Sequence, residues 1–380
     1  MRRRIPVAEP SLSGNERSYV MDCLESNWIS STGKYIGRFE EEFAAYCGTA
    51  HAVSCSNGTV ALHLALLSLG IGPGDEVIVP TLTFVATANA VTYCGARPVF
   101  VDSEWGTWNL DPDLLEQAIT VRTKAIIAVH LYGQPADMDR IRAIADRHDI
   151  YVIEDAAEAH GAEYHERKVG SLGNIGTFSF YGNKIITTGE GGMLVTDSDE
   201  IAQHARTLRG QGMDPARRYW FPVLGYNYRL TNIAAAIGCA QLEKIHLYIE
   251  QRREVACWYR EFLADCDWLR WQQPLPGSEP VCWMVSVMVD PKSSITQAAL
   301  MSELDHNGIE TRPVFPPMHS LPIYAPTADT RHYPVAEMLS QHAINLPTSV
   351  NLCKSEVEFV CHTLCEITAN TLPTKWTATH

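Results

Sequence analysis

One lysine, Lys184, lies where a strand-like segment meets a glycine-rich loop. Polar and apolar residues alternate over 177–180, two isoleucines follow the lysine directly, and three glycines fall within 189–192. Apolar neighbours remove water from an amine, and a desolvated lysine has a lowered pKa and can act as a nucleophile. Most lysines are solvated surface charges, so this position alone does not establish such a role.

Two acids end an apolar, strand-like segment at residues 151–153. They are Glu154 and Asp155, and small residues and Glu158 follow them. In an open α/β sheet the carboxyl ends of the strands face the ligand crevice, so an acid there is well placed to hold a cofactor. The alternative for Asp155 is the capping of a following helix, and the pattern alone leaves both interpretations open.

A turn of small residues over 54–59 enters a helical pattern at Val60. Free backbone N–H groups and the positive end of a helix suit a phosphate, although an ordinary helix cap is the better interpretation of this turn alone. Further on, Phe84 follows a strand-like segment at 77–79. Its ring could lie flat against a heteroaromatic ring or belong to the core.

Together these features match the requirements of one cofactor, pyridoxal 5'-phosphate (PLP). The cofactor needs a turn for its phosphate, an acid that keeps its pyridine nitrogen protonated, and a lysine that binds its aldehyde carbon. The conjunction of Gly58, Asp155 and Lys184 therefore changes the interpretation of each, and the sequence predicts a PLP enzyme with Lys184 and Asp155 as catalytic residues.

The sequence lacks the motifs of several other enzyme classes. After His165 and Glu166 the second histidine of a zinc protease helix is missing, and Pro215 stands where a dinucleotide fingerprint beginning at Gly210 needs its third glycine. Neither a Walker A lysine loop nor a G-x-S-x-G elbow occurs, and the 14 histidines show no metal-ligand spacing. We expect no metal.

The net charge and the cysteines indicate which binding partners and which cellular compartment to expect. The 380 residues carry 30 Lys and Arg against 44 Asp and Glu, a net charge of −14, which argues against nucleic acid and anionic membranes as partners. No run of 18 apolar residues occurs. The 11 cysteines are scattered and include no C-x-x-C pair, so we expect no disulfide framework and a cytoplasmic protein.

The elements that position these residues follow from hydrophobic periodicity. Short apolar bursts alternate with helical patterns up to about residue 200, which is typical of an α/β fold with a mainly parallel sheet covered on both faces. A long helical pattern follows Thr231, and alternating apolar residues over 281–289 then predict a strand. We expect a large α/β domain over 1–250 and a small C-terminal α+β domain over 251–380.

The sequence resembles the sugar aminotransferases of the DegT/DnrJ/EryC1/StrS family, within the fold type I PLP enzymes. The resemblance covers nearly the whole chain. The motifs that carry it lie at residues 28–31, 72–80, 154–158, 177–192, 208–215, 225–232 and 345–348.

The resemblance implies a large domain with a mostly parallel seven-stranded sheet flanked by helices, a smaller C-terminal α+β domain, and PLP bound covalently by Lys184. It also implies an isologous homodimer, in which Asn227 reaches the cofactor phosphate of the neighbouring subunit. The implied cofactor contacts are Ser56, Gly58, Thr59, Phe84, Asp155, Ala157, Glu158, Ser179, Lys184 and Asn227. Candidate substrate contacts, each with a structural role as its alternative, are Trp28, Ser30, Ser31, His160, Arg229, Arg312 and His319.

The implied reaction moves an amino group from L-glutamate to a nucleotide-linked 4-keto-6-deoxysugar, with GDP-4-keto-6-deoxymannose as the favoured acceptor in polysaccharide amino-sugar biosynthesis. A UDP- or dTDP-linked ketosugar, or amination at C3, is the first alternative. A PLP-dependent sugar dehydratase is disfavoured because that branch carries histidine in place of Lys184. A non-catalytic sensor is disfavoured because every cofactor position is intact.

Overall fold

The computed structural model describes residues 4–327 and 331–369. Its main sheet has seven strands in the order β1-β9-β8-β5-β4-β2-β3. Strands β3, β2, β4, β5 and β8 are parallel neighbours, while β9 runs antiparallel to both β8 and β1. The mostly parallel seven-stranded sheet is therefore confirmed. The strands are β1 His51–Cys55, β2 Glu76–Pro80, β3 Arg97–Val101, β4 Thr123–Val129, β5 Tyr151–Asp155, β6 Glu163–Tyr164, β7 Arg167–Lys168, β8 Ile175–Ser179, β9 Gly192–Thr196, β10 Leu269–Trp271, β11 Ser278–Glu279, β12 Val285–Val289, β13 Arg312–Pro313 and β14 Ala343–Leu346.

The main sheet is buried on both faces. Every residue of β2, β8 and β9 is buried, as expected for central strands that helices cover on both sides. The helices are α1 Glu16–Glu25, α2 Lys34–Cys47, α3 Gly58–Ser68, α4 Val85–Tyr93, α5 Leu115–Ala118, α6 Met138–His148, α7 Asp199–Arg209, α8 Asn232–Leu242, α9 Ile245–Phe262, α10 Gln297–His306, α11 Pro334–His342 and α12 Lys354–Ala369. Within the described ranges, none of the helices is both long enough and apolar enough to cross a membrane.

A second, antiparallel sheet lies in the C-terminal part of the chain, with the order β10-β12-β14-β13. Its residues pack with α9, α10 and α12 into a hydrophobic cluster separate from the one around the main sheet. Helix α9 belongs to both clusters, because Ile245 and Tyr248 pack in the first and Val255 and Tyr259 in the second. The predicted division at residue 250 falls inside this helix and remains a prediction.

The sheet brings distant parts of the sequence to one edge. Parallel pairing sets Val129 beside Asp155 and Asp155 beside Thr177, so that β4, β5 and β8 end together. The turn before α3 reaches the same edge, because a Cβ atom added to Gly58 would lie 2.6 Å from the Cβ atom of Ser179. Chemistry-bearing side chains at these strand ends therefore face one crevice.

Candidate active site

A cavity of about 740 Å³ opens at the carboxyl ends of the parallel strands. Nine residues predicted from the sequence line it: Gly58, Thr59, Phe84, Asp155, Ala157, Glu158, Ser179, Lys184 and Arg312. They come from the start of α3, the loops after β2, β5 and β8, and the C-terminal sheet. The fold therefore collects in one place the features that are dispersed in the sequence.

Lys184 lines this cavity. Its side chain is 11% exposed, and its Nζ atom lies 3.7 Å from Oε1 of Glu158. The backbone N–H of Lys184 donates to the carbonyl of Tyr181, which closes a turn directly after β8. Burial lowers the pKa of the Lys184 amine, and the nearby acids oppose this change. The amine is therefore more easily deprotonated than a surface lysine.

The carboxylate of Asp155 is buried at the end of β5. Its Oδ2 atom accepts a hydrogen bond from the Thr87 hydroxyl at 2.8 Å, and its Oδ1 atom accepts one from the Ala157 N–H at 3.2 Å. Burial raises the pKa of Asp155 despite these two bonds. A buried carboxylate is stabilised by a positive partner, so this position suits a ligand with a protonated ring nitrogen.

The preceding residue, Glu154, points into a different environment. Its carboxylate accepts hydrogen bonds from the N–H groups of Gly170, Leu172 and Gly173 and contacts Nε2 of His130 at 3.0 Å. Adjacent residues of a strand point to opposite faces of a sheet. Glu154 therefore fixes loops on one face, while Asp155 faces the cavity.

The carboxylate of Glu158 is held beside Lys184 by the main chain. Its Oε2 atom accepts a hydrogen bond from the N–H of Tyr132 at 2.8 Å. Burial raises the pKa of Glu158 to about 7, against the opposing effects of Lys184 and of the Tyr132 bond. The charge of this carboxylate therefore changes near neutral pH, within reach of the Lys184 amine.

The start of α3 forms one end of the cavity. The Asn57 side chain caps the helix by accepting from the N–H of Val60 at 2.9 Å. Within the described chain, the N–H groups of Gly58 and Thr59 have no hydrogen-bond acceptor. The close approach of Gly58 to Ser179 excludes a side chain at residue 58 and keeps this helix end open to an anion.

Aromatic rings form the opposite wall. Phe84 is 54% exposed, and its ring centroid lies 5.8 Å from that of Phe315. The Phe315 ring stacks on Tyr132 at 5.3 Å, and Tyr132 stacks on Trp283 at 6.2 Å. These rings leave the face of Phe84 open to the cavity, where a flat ligand ring can lie against it.

Three other predicted residues lie on the surface around the segment before α8. Trp28, Ser30 and Ser31 lie outside the cavity, and the carbonyl groups of Trp28 and Ser30 accept hydrogen bonds from Asn232. In this chain Trp28 and Ser30 are thus anchored to the start of α8. The structure of one subunit does not bring them to Lys184.

Asn227 and Arg229 are also exposed and outside the cavity. The Oδ1 atom of Asn227 accepts hydrogen bonds from the Arg229 guanidinium at 3.0 and 3.2 Å. Ser56, a predicted cofactor contact, is not part of the cavity lining, and its N–H donates to the carbonyl of Tyr228. A role for Asn227 in a neighbouring subunit stays a prediction.

The two predicted histidine contacts lie behind the cavity wall. His160 is fully buried, its ring centroid lies 5.3 Å from that of Phe178, and burial lowers its pKa to about 3. His319 contacts the Thr81 hydroxyl at 2.7 Å and stacks on Tyr333. The cavity lining includes neither imidazole, so a contact of either one with a substrate stays a prediction.

Several contributors were not expected from the sequence. Thr87, Tyr132, Asn183 and Trp283 contact the predicted residues or line the cavity. Thr87 lies three residues after Phe84, so the predicted contact at Phe84 pointed to its neighbourhood. Trp283 lies 99 residues after Lys184, and no sequence motif linked it to the site. The described residues contain no group of three or more metal-ligand side chains.

The sequence matches the model of the DegT/DnrJ/EryC1/StrS aminotransferase family over residues 10–365. It is 54% identical over 367 residues to the GDP-perosamine synthase of Caulobacter vibrioides, covering 96% of this chain and 98% of that one. It is 46% identical over 362 residues to the GDP-perosamine synthase of Escherichia coli O157:H7, covering 95% and 98%. The structure is similar to the crystal structure of S. venezuelae DesV, with a TM-score of 0.90, 36% identity, and coverage of 97% of this chain and 99% of that one. The chain therefore belongs to the DegT/DnrJ/EryC1/StrS aminotransferase family, whose enzymes use PLP.

Proposed function

We propose that this enzyme transfers the amino group of L-glutamate to C4 of GDP-4-keto-6-deoxymannose and so forms GDP-perosamine. The observation that carries the transamination is the convergence of Lys184, Asp155 and the open start of α3 in one cavity. The choice of sugar nucleotide rests on the similarity to the synthases of Caulobacter vibrioides and Escherichia coli. The scattered cysteines, which include no C-x-x-C pair, support the proposed cytoplasmic location.

The residues of the cavity fit PLP. Gly58, Thr59 and Ser179 would hold the phosphate, because the first two offer backbone N–H groups and the third offers a hydroxyl at the same helix end. Asp155 would pair with the protonated ring nitrogen and gain the positive partner that its burial demands. Phe84 would cover one face of the ring.

When bound, PLP withdraws electrons from the carbon that bears the transferred nitrogen, so that a proton on this carbon becomes acidic. The Lys184 amine can take that proton as a general base and return it, as a general acid, to the cofactor carbon on the other side of the nitrogen. Its lowered pKa increases the fraction of free amine at neutral pH. The Trp283 ring covers the amine at 3.9 Å, and Tyr132 stacks on the Trp283 ring.

Recognition of the nucleotide diphosphate requires cationic side chains near the cavity. Arg312 lines the cavity. Arg209, in contrast, donates to Glu40 at 2.6 Å and to the Ser54 carbonyl at 2.5 Å, so it is already engaged. Arg217 and Arg218 stack on exposed Trp220 and Tyr219 and remain available for a partner. They lie outside the cavity lining of this subunit, so a contact of theirs with the phosphates belongs to the shared-site proposal below.

A homodimer with shared sites is part of the proposal. The segment 217–229 exposes aromatic and apolar side chains that are unusual for a free surface, and Asn227 and Arg229 follow them directly. A second copy that covers this segment would bury the apolar residues and bring the polar ones to its own cavity. The exposed side chains of the segment are Tyr219, Trp220, Phe221, Val223 and Leu224.

The substrate assignment is tested by kcat/KM with L-glutamate and a panel of GDP-, UDP- and dTDP-linked 4-ketosugars. The proposal expects a clear preference for the GDP-linked sugar, because a site built for one base leaves buried polar groups unpaired with another. A preference for a UDP- or dTDP-linked sugar would replace the substrate and leave the transamination in place. The absence of transamination with every donor and acceptor would contradict the proposal itself.

A further inference from the structure

Trp283 connects the C-terminal part of the chain with the catalytic lysine. It is 4% exposed and lies just before β12. Its indole N–H donates a 2.7 Å hydrogen bond to the carbonyl of Asn183, the residue before Lys184. The same side chain therefore reaches the turn that carries the lysine from a segment 99 residues away in sequence.

The ring of Trp283 also faces the amine. The Nζ atom of Lys184 lies 3.9 Å from the centroid of the indole ring. A cation over an indole face is stabilised by the negative charge of the ring, and most strongly where water is excluded. The indole therefore acts on Lys184 in two ways, through the neighbouring carbonyl and through the amine itself.

Trp283 is itself held rigidly. Its carbonyl accepts a 3.0 Å hydrogen bond from Nη1 of Arg252, and this buried guanidinium also donates to the carbonyl of Thr348 at 2.8 Å. The indole ring also stacks on Tyr132 with an interplanar angle of 15°. Tyr132 in turn donates its N–H to Glu158, the acid beside Lys184. The position of the indole is thus fixed by the Arg252 guanidinium and by the Tyr132 ring.

We propose that Trp283 is a positioning residue for the reaction, which fixes the Lys184 amine for proton transfer by holding the Asn183 carbonyl and by covering the amine with its ring. The inference rests on the proposed function, because it takes Lys184 as the group that moves the proton. A reacting amine that is misplaced by about 1 Å can lose on the order of 100-fold in rate. The effect should therefore appear in kcat rather than in the binding of glutamate.

Two substitutions separate the two contacts. Trp283→Phe keeps an aromatic face and removes the N–H, while Trp283→Leu removes both. For Trp283→Phe we expect kcat to fall about fivefold, the effect of one hydrogen bond, with the pH profile unmoved. For Trp283→Leu we expect a fall on the order of 100-fold.

In the leucine variant the acid limb of the kcat profile should also move about one pH unit lower, because the ammonium form of Lys184 loses its aromatic face. In both variants KM for glutamate should stay within about twofold of wild type.

Trp258→Phe is the matched control, since Trp258 is a partly buried tryptophan of α9 that packs in the C-terminal cluster. Its kcat and pH profile should match those of wild type. One result would overturn the proposal: kcat falls only in proportion to thermal stability, and the acid limb of the pH profile stays in place in both Trp283 variants. This result would indicate a purely structural role for Trp283. If the leucine variant does not fold, the phenylalanine variant decides, because an unchanged kcat in it removes the role of the N–H contact.

A second readout keeps this inference separate from the proposed function. Borohydride reduction of each holoenzyme, followed by peptide mapping, measures how much cofactor is attached to Lys184 at each pH. No attachment at Lys184 in the wild-type enzyme would contradict the proposed function. Attachment in wild type with the same pH dependence in Trp283→Leu, together with an unchanged kcat, would contradict the role of Trp283 alone.

Discussion

The carboxylate of Glu158 lies 3.7 Å from the amine of Lys184, and both groups are buried in the wall of the same cavity. Burial disfavours the charged form of each group, while their attraction favours both charges together. Burial raises the pKa of Glu158 to about 7, so the charge next to the lysine depends on pH near neutrality. The protonation of Lys184 therefore depends on whether Glu158 is charged.

Removal of the Glu158 charge should make Lys184 easier to deprotonate. In Glu158→Gln the ammonium form of Lys184 loses the stabilising charge of Glu158 and keeps that of Asp155, so the pKa of Lys184 falls further. The acid limb of the kcat profile should then move about one pH unit lower, in line with the usual effect of one opposite charge at this distance. The measurement is kcat between pH 5.5 and 9, with Glu163→Gln, an acid outside the cavity, as the control. A limb that stays in place or moves to higher pH would contradict the coupling.

Removal of the lysine should abolish turnover without loss of the fold. Lys184→Ala should lower kcat by at least about 1,000-fold, because the variant lacks the group that moves the proton. The cofactor should still bind through its phosphate and ring contacts, without the absorbance of the lysine-bound form. Lys124→Ala, an exposed lysine at the opposite end of the strands, should behave as wild type. Multiple turnovers by the purified Lys184→Ala enzyme at more than a few per cent of the wild-type rate would disprove the role.

The carboxylate of Asp155 should matter far more than the hydroxyl that supports it. Asp155→Asn should retain PLP and slow the reaction with glutamate on the order of 100-fold, because a neutral amide cannot balance the protonated ring nitrogen. Thr87→Val removes one hydrogen bond to the same carboxylate and should cost only about fivefold. Single-turnover decay of the holoenzyme absorbance with glutamate measures both effects. Equal rates for wild type and Asp155→Asn would mean that Asp155 is only a structural residue.

The expected shared site gives a complementation test. Lys184→Ala and Asn227→Ala subunits are each expected to be impaired, but a mixed dimer would contain one site with neither substitution. Random exchange of equal amounts should therefore restore about a quarter of the wild-type activity. The test requires that subunit exchange is demonstrated by differential mass labelling. Activity that remains at the level of the separate variants after exchange would argue against the assignment of Asn227 to a neighbouring subunit.

The sequence predicted the α/β fold and the core of the site because both depend on short-range patterns. Asp155 ends a buried strand and Lys184 follows another, and parallel strands bring their carboxyl ends together. The sequence alone did not show that Glu154 and Asp155 have different environments. That difference follows from the strand, in which the two side chains point to opposite faces of the sheet. Trp283 could not be found in this way, since its contact with Lys184 depends on how the C-terminal segment packs.

The candidate substrate contacts show a related limit. For residues 28–31, His160 and His319 a sequence motif does not specify which way a side chain points, so their roles stay predictions. In the structure His160 points into an aromatic core, and His319 points toward Thr81 and Glu337. Burial and side-chain direction are therefore what the sequence alone could not provide here.

The most direct test of the central claim follows the nitrogen atom itself. The purified enzyme is incubated with ¹⁵N-labelled L-glutamate and GDP-4-keto-6-deoxymannose, and the sugar nucleotide product is examined by ¹H–¹⁵N and ¹³C NMR. The proposed function predicts the label bonded to C4 of a GDP-linked sugar, with 2-oxoglutarate formed in equal amount. Label at C3, or a product without nitrogen, would contradict it.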